Sequence, residues 1–280
     1  MINKPTLSNR NIPQPIQRQV RQNCGFGCVF CGDMIVQYEH IVPFSEVKAH
    51  EVANLVLLCA SHHQEVTAGR ISKGQVKSAQ ITPFCKRGRN HPSYRFILKH
   101  SHQIRFGDNS CVVTENDRYP LSIVELGENC WFGVAMAEGL PVFSGTFPNK
   151  LGAPALVLRE NVLEILDTNI WDATLKGPNL KISMGPRKIY SHWELKGGDF
   201  SILKQVMVGS SGAVKVSHKG SEILLSNGNI SKVQHNYDFC EKYNRRSGFF
   251  ASEGTVPRAA FRIPDTPPNY AVDHWRWVFT

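Results

Sequence analysis

The chain has 280 residues with 41% hydrophobic content, and no apolar run approaches the ~18 residues that a membrane-spanning helix needs. Nothing at its start has the layout of a signal peptide. Eight cysteines, three of them in motif spacing beside histidines, favour a reducing compartment and metal ligation over a disulfide framework, so a cytoplasmic location is expected. The net charge is +9 and is unevenly placed: residues 1–105 hold 14 Lys/Arg against 5 Asp/Glu, and residues 106–280 hold 18 of each. A segment that grips a polyanion needs such an excess, because phosphate contacts supply most non-specific nucleic-acid affinity.

The first predicted element is an amphipathic helix in NIPQPIQRQVRQN, with Ile16 and Val20 at helical spacing and Pro15 in the first turn. CGFGCVFCG follows, then MIVQYEHIV, whose β-branched and aromatic residues predict a strand. NLVLLCASHH ends at His63, and SHHQEVTAG predicts a helix capped by Ser61 and stopped at Gly69. ISKGQVKSAQ adds a short helix.

Cys28 and Cys31 form a Cys-x-x-Cys pair, and Cys59 and His62 a Cys-x-x-His pair. Each two-residue gap lets a tight knuckle aim both side chains at one ion. Together they make a Cys₃His set, a closed tetrahedral arrangement of the kind that holds structural zinc. Cys24 is the main rival ligand, but it lies on the far side of Gly25 and Gly27 and reads as a packed or free thiol. Cys85 and His91 supply too few ligands for a second site.

Between the knuckles lie His40, Asn54 and His63. In the order CVFCG, YEHIVPF and NLVLLCASHH, residues 15–75 resemble the HNH endonuclease family. The resemblance implies a ββα-metal finger, with His40 near the end of the first strand and His63 on the helix. It implies that His40 is the general base and that His63 and Glu39 hold a catalytic Mg²⁺, Mn²⁺ or related divalent ion. Asn54 carries over as the residue whose side-chain amide pins the loop and so orients His40. The implied activity is endonucleolytic hydrolysis of DNA leaving 5′-phosphate and 3′-hydroxyl ends, in a setting such as bacterial or phage defence. Many family members have Asp where this chain has Glu39. Residues from Ile12-Pro13 to Gly32 are also similar to the start of bacterial HNH proteins that continue into a long β-rich region. The residue types suit the chemistry independently, since a neutral imidazole can take a proton from water near pH 7 and a divalent ion can neutralise a phosphate. His50 falls outside the pattern and reads as a solvated loop residue.

PFCKRGRNHPS, residues 83–93, has the composition of a basic linker. Its Lys86, Arg87 and Arg89 either grip backbone phosphates or are simply solvated. From residue 94 onward short β-like runs alternate with turn signals such as GDNS, KGPN and SNGN, predicting an all-β antiparallel domain, sandwich-like or a partial solenoid. Its tryptophans, Trp131, Trp171, Trp193, Trp275 and Trp277, stack on bases, bind a partner or fill a core. The expected whole is an α+β chain: an HNH nuclease domain over 1–82, a linker over 83–93 and a targeting or regulatory β-domain over 94–280, with an oligomer or protein activator compatible with it. The alternatives are a non-catalytic zinc-finger module that binds nucleic acid, and an assembly protein carrying a relic finger.

Overall fold

Pro15 sets the backbone for the first turn of helix α1 (Gln14–Cys24), which ends at Gly25 in a left-handed conformation with φ 70°, a position where a side chain would add strain. The computed structural model describes residues 11–98, 102–107, 109–113, 121–126, 131–149, 151–209, 212–217, 220–225, 230–232, 249–250 and 259–263. The chain divides into two compact units, the first ending at Tyr94 and the second starting at Arg95.

In the first unit, strands β1 (Val36–His40) and β2 (Leu55–Cys59) pair antiparallel, with Val36 opposite Cys59 and His40 opposite Leu55. The connection between them holds a short helix α2 (Phe44–Val47) and a 3₁₀ turn, Val52–Asn54. Every residue of β2 is buried, as expected of a strand covered on both faces. Helix α3 (Ala60–Thr67) follows β2 without an intervening loop, so Cys59 is both the last strand residue and the residue preceding the helix. Ser61 therefore lies inside the helix and is not its cap. Helix α4 (Lys73–Ile81) starts at a capping box, in which Ser72 accepts from the Gln75 backbone and the Gln75 side chain accepts from the Ser72 backbone, satisfying two otherwise orphaned donors. Val20, Cys24, Leu55, Val56, Leu57, Leu58, Val66 and Val76 join in one buried cluster.

The segment whose composition reads as a linker lies inside this unit. Phe84 donates its backbone N–H to Val29, Ser93 donates to Gly32, and Met34 donates to Ser93. Gly32, at φ +80°, leaves room for Phe84 and Cys85: a Cβ there would lie 2.9 Å from the Phe84 ring and 3.1 Å from the Cys85 sulfur. Small side chains on the knuckle thus let residues 84–93 close over it.

The second unit is a pair of largely antiparallel sheets. One is a meander running in sequence order from Asp172–Lys176 through Asn179–Gly185, Lys188–Lys196, Asp199–Gly209, Gly212–Ser217 and Gly220–Leu225 to Ile230–Lys232. The hairpin of His102–Phe106 and Asn109–Val113 joins it through a parallel pairing with Asp199–Gly209. The other sheet places Leu121–Leu126, Trp131–Ala137, Leu140–Pro148, Pro154–Arg159 and Val162–Ile165 side by side. Alternate residues of Leu140–Pro148 are buried, which turns Phe143 and Phe147 to one face. There Phe143 meets Phe200 at 5.0 Å and Phe147 meets Trp193 at 5.5 Å between ring centroids. These contacts join side chains of the two sheets, the packing of a β-sandwich. Trp193 is fully buried and donates its indole N–H to Gln205 at 2.9 Å, so this tryptophan fills a core. Trp275 and Trp277, and the side chain of Trp131, lie outside the described residues. Among the described residues no helix is long and apolar enough to cross a membrane.

Candidate functional site

The four predicted zinc ligands meet. Cys28 and Cys31 sit on a knuckle closed by the Gly32 N–H donating to the Cys28 carbonyl at 2.8 Å. Gly27 permits that closure, because a Cβ on it would lie 2.4 Å from the Gly32 oxygen. The ligand atoms of Cys28, Cys31, Cys59 and His62 all lie within 4.8 Å of one another. Bonds of ~2.3 Å to sulfur and ~2.1 Å to nitrogen give a zinc tetrahedron edges of ~3.8 Å between sulfurs and ~3.6 Å between sulfur and nitrogen. Cys31 Sγ to Cys59 Sγ is 3.8 Å and Cys28 Sγ to His62 Nδ1 is 3.6 Å, while Cys59 Sγ to His62 Nδ1, at 3.1 Å, is tighter. The donor set and its spacing fit one zinc ion. Phe30 stacks on the His62 ring at 5.0 Å, which holds the imidazole in its plane.

Electrostatics do not separate ligand from bystander by direction alone, since burial shifts the ligand Cys59 up as well. The Cys28 thiol is pulled down to about 5, chiefly by the hydrogen bond from Cys31, whose own thiol is pushed up in return. Burial pushes Cys24 up to about 11 and Cys85 up to about 12, so both remain neutral thiols packed behind the knuckle.

The second grouping lies toward the loop end of the hairpin. His63 follows the zinc ligand His62 on α3, and its Nε2 stands 3.1 Å from Glu39 Oε2 on β1. Two ligand atoms at right angles on an ion with ~2.1 Å bonds are ~3.0 Å apart, so this pair fits a small divalent ion. Glu39 and His63 remain 19% and 34% exposed, so the pair is reachable from solvent. The other Glu39 oxygen accepts from Lys73 Nζ at 2.5 Å, and the same ammonium donates to the His40 carbonyl at 3.2 Å.

Asn54 closes the turn after His40 from both sides of its amide. Its Oδ1 accepts from the Val42 N–H at 2.8 Å, its Nδ2 donates to the Val42 carbonyl at 2.9 Å, and its backbone carbonyl accepts from Ile41. The loop folded back by this clamp brings His50 to His40, with His40 Nε2 and His50 Nδ1 3.2 Å apart. Phe44 stacks on His50 at 4.7 Å and touches His40 at 5.4 Å. His40 is held below the ordinary histidine range, first by burial and then by the charge of His50, with Glu39 opposing and Lys73 reinforcing the shift.

Two residues at this site escaped the sequence reading. His50 has no spacing rule to betray it, since only the fold of the 41–54 loop carries it to His40. Lys73 left half a signal: the Ser72 to Gln75 capping pattern places it in the first turn of a helix, but its contact with Glu39 is tertiary. Lys86, Arg87 and Arg89 are exposed. A Cβ on Gly25 would lie 3.6 Å from Lys86 Cγ, so Lys86 lies against the turn that ends α1, and Arg87 lies over the Phe84 ring.

Residues 22–69 match the family model described as HNH endonuclease. No curated protein and no solved structure matches the chain. The N-terminal unit thus carries an HNH endonuclease domain with a zinc-type Cys₃His cluster, and a nucleic acid is the partner that such a domain implies. Replacing Cys31 by Ser should remove one corner of the tetrahedron and with it the bound zinc. Metal analysis after dialysis should fall from one zinc per chain to near none, with loss of the first unit's helical signal and persistence of the β signal. Full zinc retention in that variant would contradict the ligand assignment.

Proposed function

We propose that the chain is a metal-dependent endonuclease that hydrolyses DNA phosphodiester bonds, with Glu39, His40, Asn54 and His63 as its active site. The observation that carries this reading is the Glu39–His63 pair at 3.1 Å on the two residues that directly adjoin His40 and the zinc ligand His62. A divalent ion such as Mg²⁺ held by Glu39 Oε2 and His63 Nε2 supplies charge neutralisation at the scissile phosphate and the leaving 3′ oxygen.

The protein's own groups do the rest. His40 takes a proton from the attacking water, and its depressed basicity keeps it neutral, hence able to accept, across the neutral range. Its contact with His50 reinforces this state. A hydrogen bond between Nε2 and Nδ1 needs one donor and one lone pair, and two imidazolium rings at 3.2 Å would repel. Asn54 orients His40 by fixing Ile41 and Val42 immediately after it. Adjacent strand residues project to opposite sides, so a phosphodiester meeting both Glu39 and His40 crosses the loop end of β1. Lys86, Arg87 and Arg89 extend the polyanion surface past the knuckle. The second unit selects the target or restrains cleavage; residues 95–280 hold 21 Lys/Arg against 18 Asp/Glu, a smaller excess than that of residues 1–94, and the unit's described core is filled by its own aromatic residues.

Purified protein should nick plasmid DNA in Mg²⁺ or Mn²⁺. His40→Ala should lower the rate by about 10²–10⁴-fold while DNA binding by gel shift is retained, because binding rests on Lys and Arg. Unchanged cleavage by that variant would remove His40 from the mechanism.

The pH dependence follows from the direction of the His40 shift. The base works deprotonated, so a lowered pKa carries activity further into acid, and the acid limb of the rate profile should lie below the ordinary histidine range. His50→Ala removes one of the groups that depress it, and the limb should move to higher pH. A limb that stays in place would show that His50 does not act on the base.

A chain ending at Tyr94 retains every bond that closes residues 84–93 over the knuckle. It should keep metal-dependent nicking with altered selectivity, measured against a mixed panel of DNA substrates. A faster and less selective product would assign restraint to the second unit, and loss of folding would show that the first unit depends on it.

A further inference from the structure

Helix α4 packs on the first unit's core through Val76 and is tied near its end to residues 53 and 55. Its start is fixed by the Ser72–Gln75 capping box, and near its end Gln80 Nε2 donates to the Leu55 carbonyl at 2.9 Å and the Ala53 carbonyl at 3.1 Å. Lys77 Nζ donates to the same Ala53 carbonyl at 3.2 Å. A helix anchored in this way delivers the Lys73 ammonium to a set place, where Glu39 Oε1 and the His40 carbonyl accept from it.

The result divides the Glu39 carboxylate. Oε1 belongs to Lys73, and Oε2 faces His63 Nε2. Divalent ions differ in how they use a carboxylate. Mg²⁺ demands near-octahedral geometry at ~2.0–2.1 Å, whereas Ca²⁺ accepts 6–8 oxygens at ~2.3–2.6 Å and readily takes both oxygens of one carboxylate. An ammonium held on Oε1 obstructs the two-oxygen mode and leaves the one-oxygen mode open.

We propose that Lys73 is a metal-selectivity residue: by holding Glu39 Oε1 it confines the carboxylate to a single-oxygen contact beside His63, favouring magnesium- and manganese-sized ions over calcium. The proposal rests on the reading of Glu39 and His63 as ligands of a divalent ion. Its consequence is a ratio of affinities and not a single affinity, because removing any nearby positive charge strengthens binding of every divalent cation. Lys73 is therefore a positioning residue that acts through Glu39.

The test is binding of Mn²⁺, followed by its paramagnetic resonance signal, with Ca²⁺ as competitor, on the zinc-loaded full chain. Lys73→Met should raise the Ca²⁺ to Mn²⁺ affinity ratio on the order of tenfold, the scale of losing one charged hydrogen bond. Lys77→Met makes the same charge change four residues away, at a lysine bound to Ala53 and Gln80, and should leave the ratio at its wild-type value. Zinc content and the circular dichroism spectrum report folding. If Lys73→Met loses zinc, Lys73→Gln, which keeps a neutral donor, should give a smaller rise in the same direction. His63→Ala separates the two levels of the argument. Retained Mn²⁺ binding in that variant overturns the ligand reading and the proposal with it. Lost Mn²⁺ binding in His63→Ala with an unchanged ratio in the folded Lys73 variants overturns the proposal alone.

Discussion

Everything at the candidate site depends on the junction at Cys59, where β2 ends, α3 begins and one corner of the Cys₃His cluster is supplied. A strand that passes into a helix without a loop leaves little freedom in the helix direction, and ligation to Cys28 and Cys31 would remove more. His62 then turns to the cluster while His63, one residue on, turns to Glu39. Neighbouring helical residues diverge by about 100°, so a single helix serves two separate sites. The cysteines of the knuckle thus help to decide where His63 stands.

The other half of the site is set by the hairpin. With His40 opposite Leu55, the strand pair ends where the Asn54 amide takes over and continues the closure by side-chain hydrogen bonds to Val42. The 41–54 loop is long for a hairpin connection, and the amide clamp makes its return path definite. That path carries His50 and Phe44 against His40. The clamp and the cluster are independent devices, one ordering the turn after His40 and the other the helix start that carries His63, and Lys73 ties them by touching both Glu39 and the His40 carbonyl.

Much of this was legible in the sequence, and what was not has a physical reason. The paired knuckles, the Glu39-His40 step and Asn54 stand out because each function needs particular residue types at short range. Helix α1 showed through Pro15 and the spacing of Ile16 and Val20, and the second unit through period-two runs between turns. Ser61 misled because a cap normally precedes a helix, whereas here the chain enters α3 straight from β2. Residues 83–93 have a linker's composition, yet glycines at 25 and 32 accept Cys85 and Phe84, and no local pattern in the segment announces that fit. His50 and Lys73 act through contacts across ten and thirty-four residues, beyond what spacing can encode.

The account's central claim is that the end of this hairpin hydrolyses phosphodiester bonds in DNA, and the ends it leaves are its most direct record. Supercoiled plasmid should be incubated with the zinc-loaded full chain and Mg²⁺, and the nicked product treated with DNA ligase without prior phosphatase or kinase treatment. Attack by water with departure of the 3′ oxygen leaves 5′-phosphate and 3′-hydroxyl ends, so the account predicts that ligase reseals the nicks. Nicks that ligase cannot close, or that form equally in excess chelator, would contradict it.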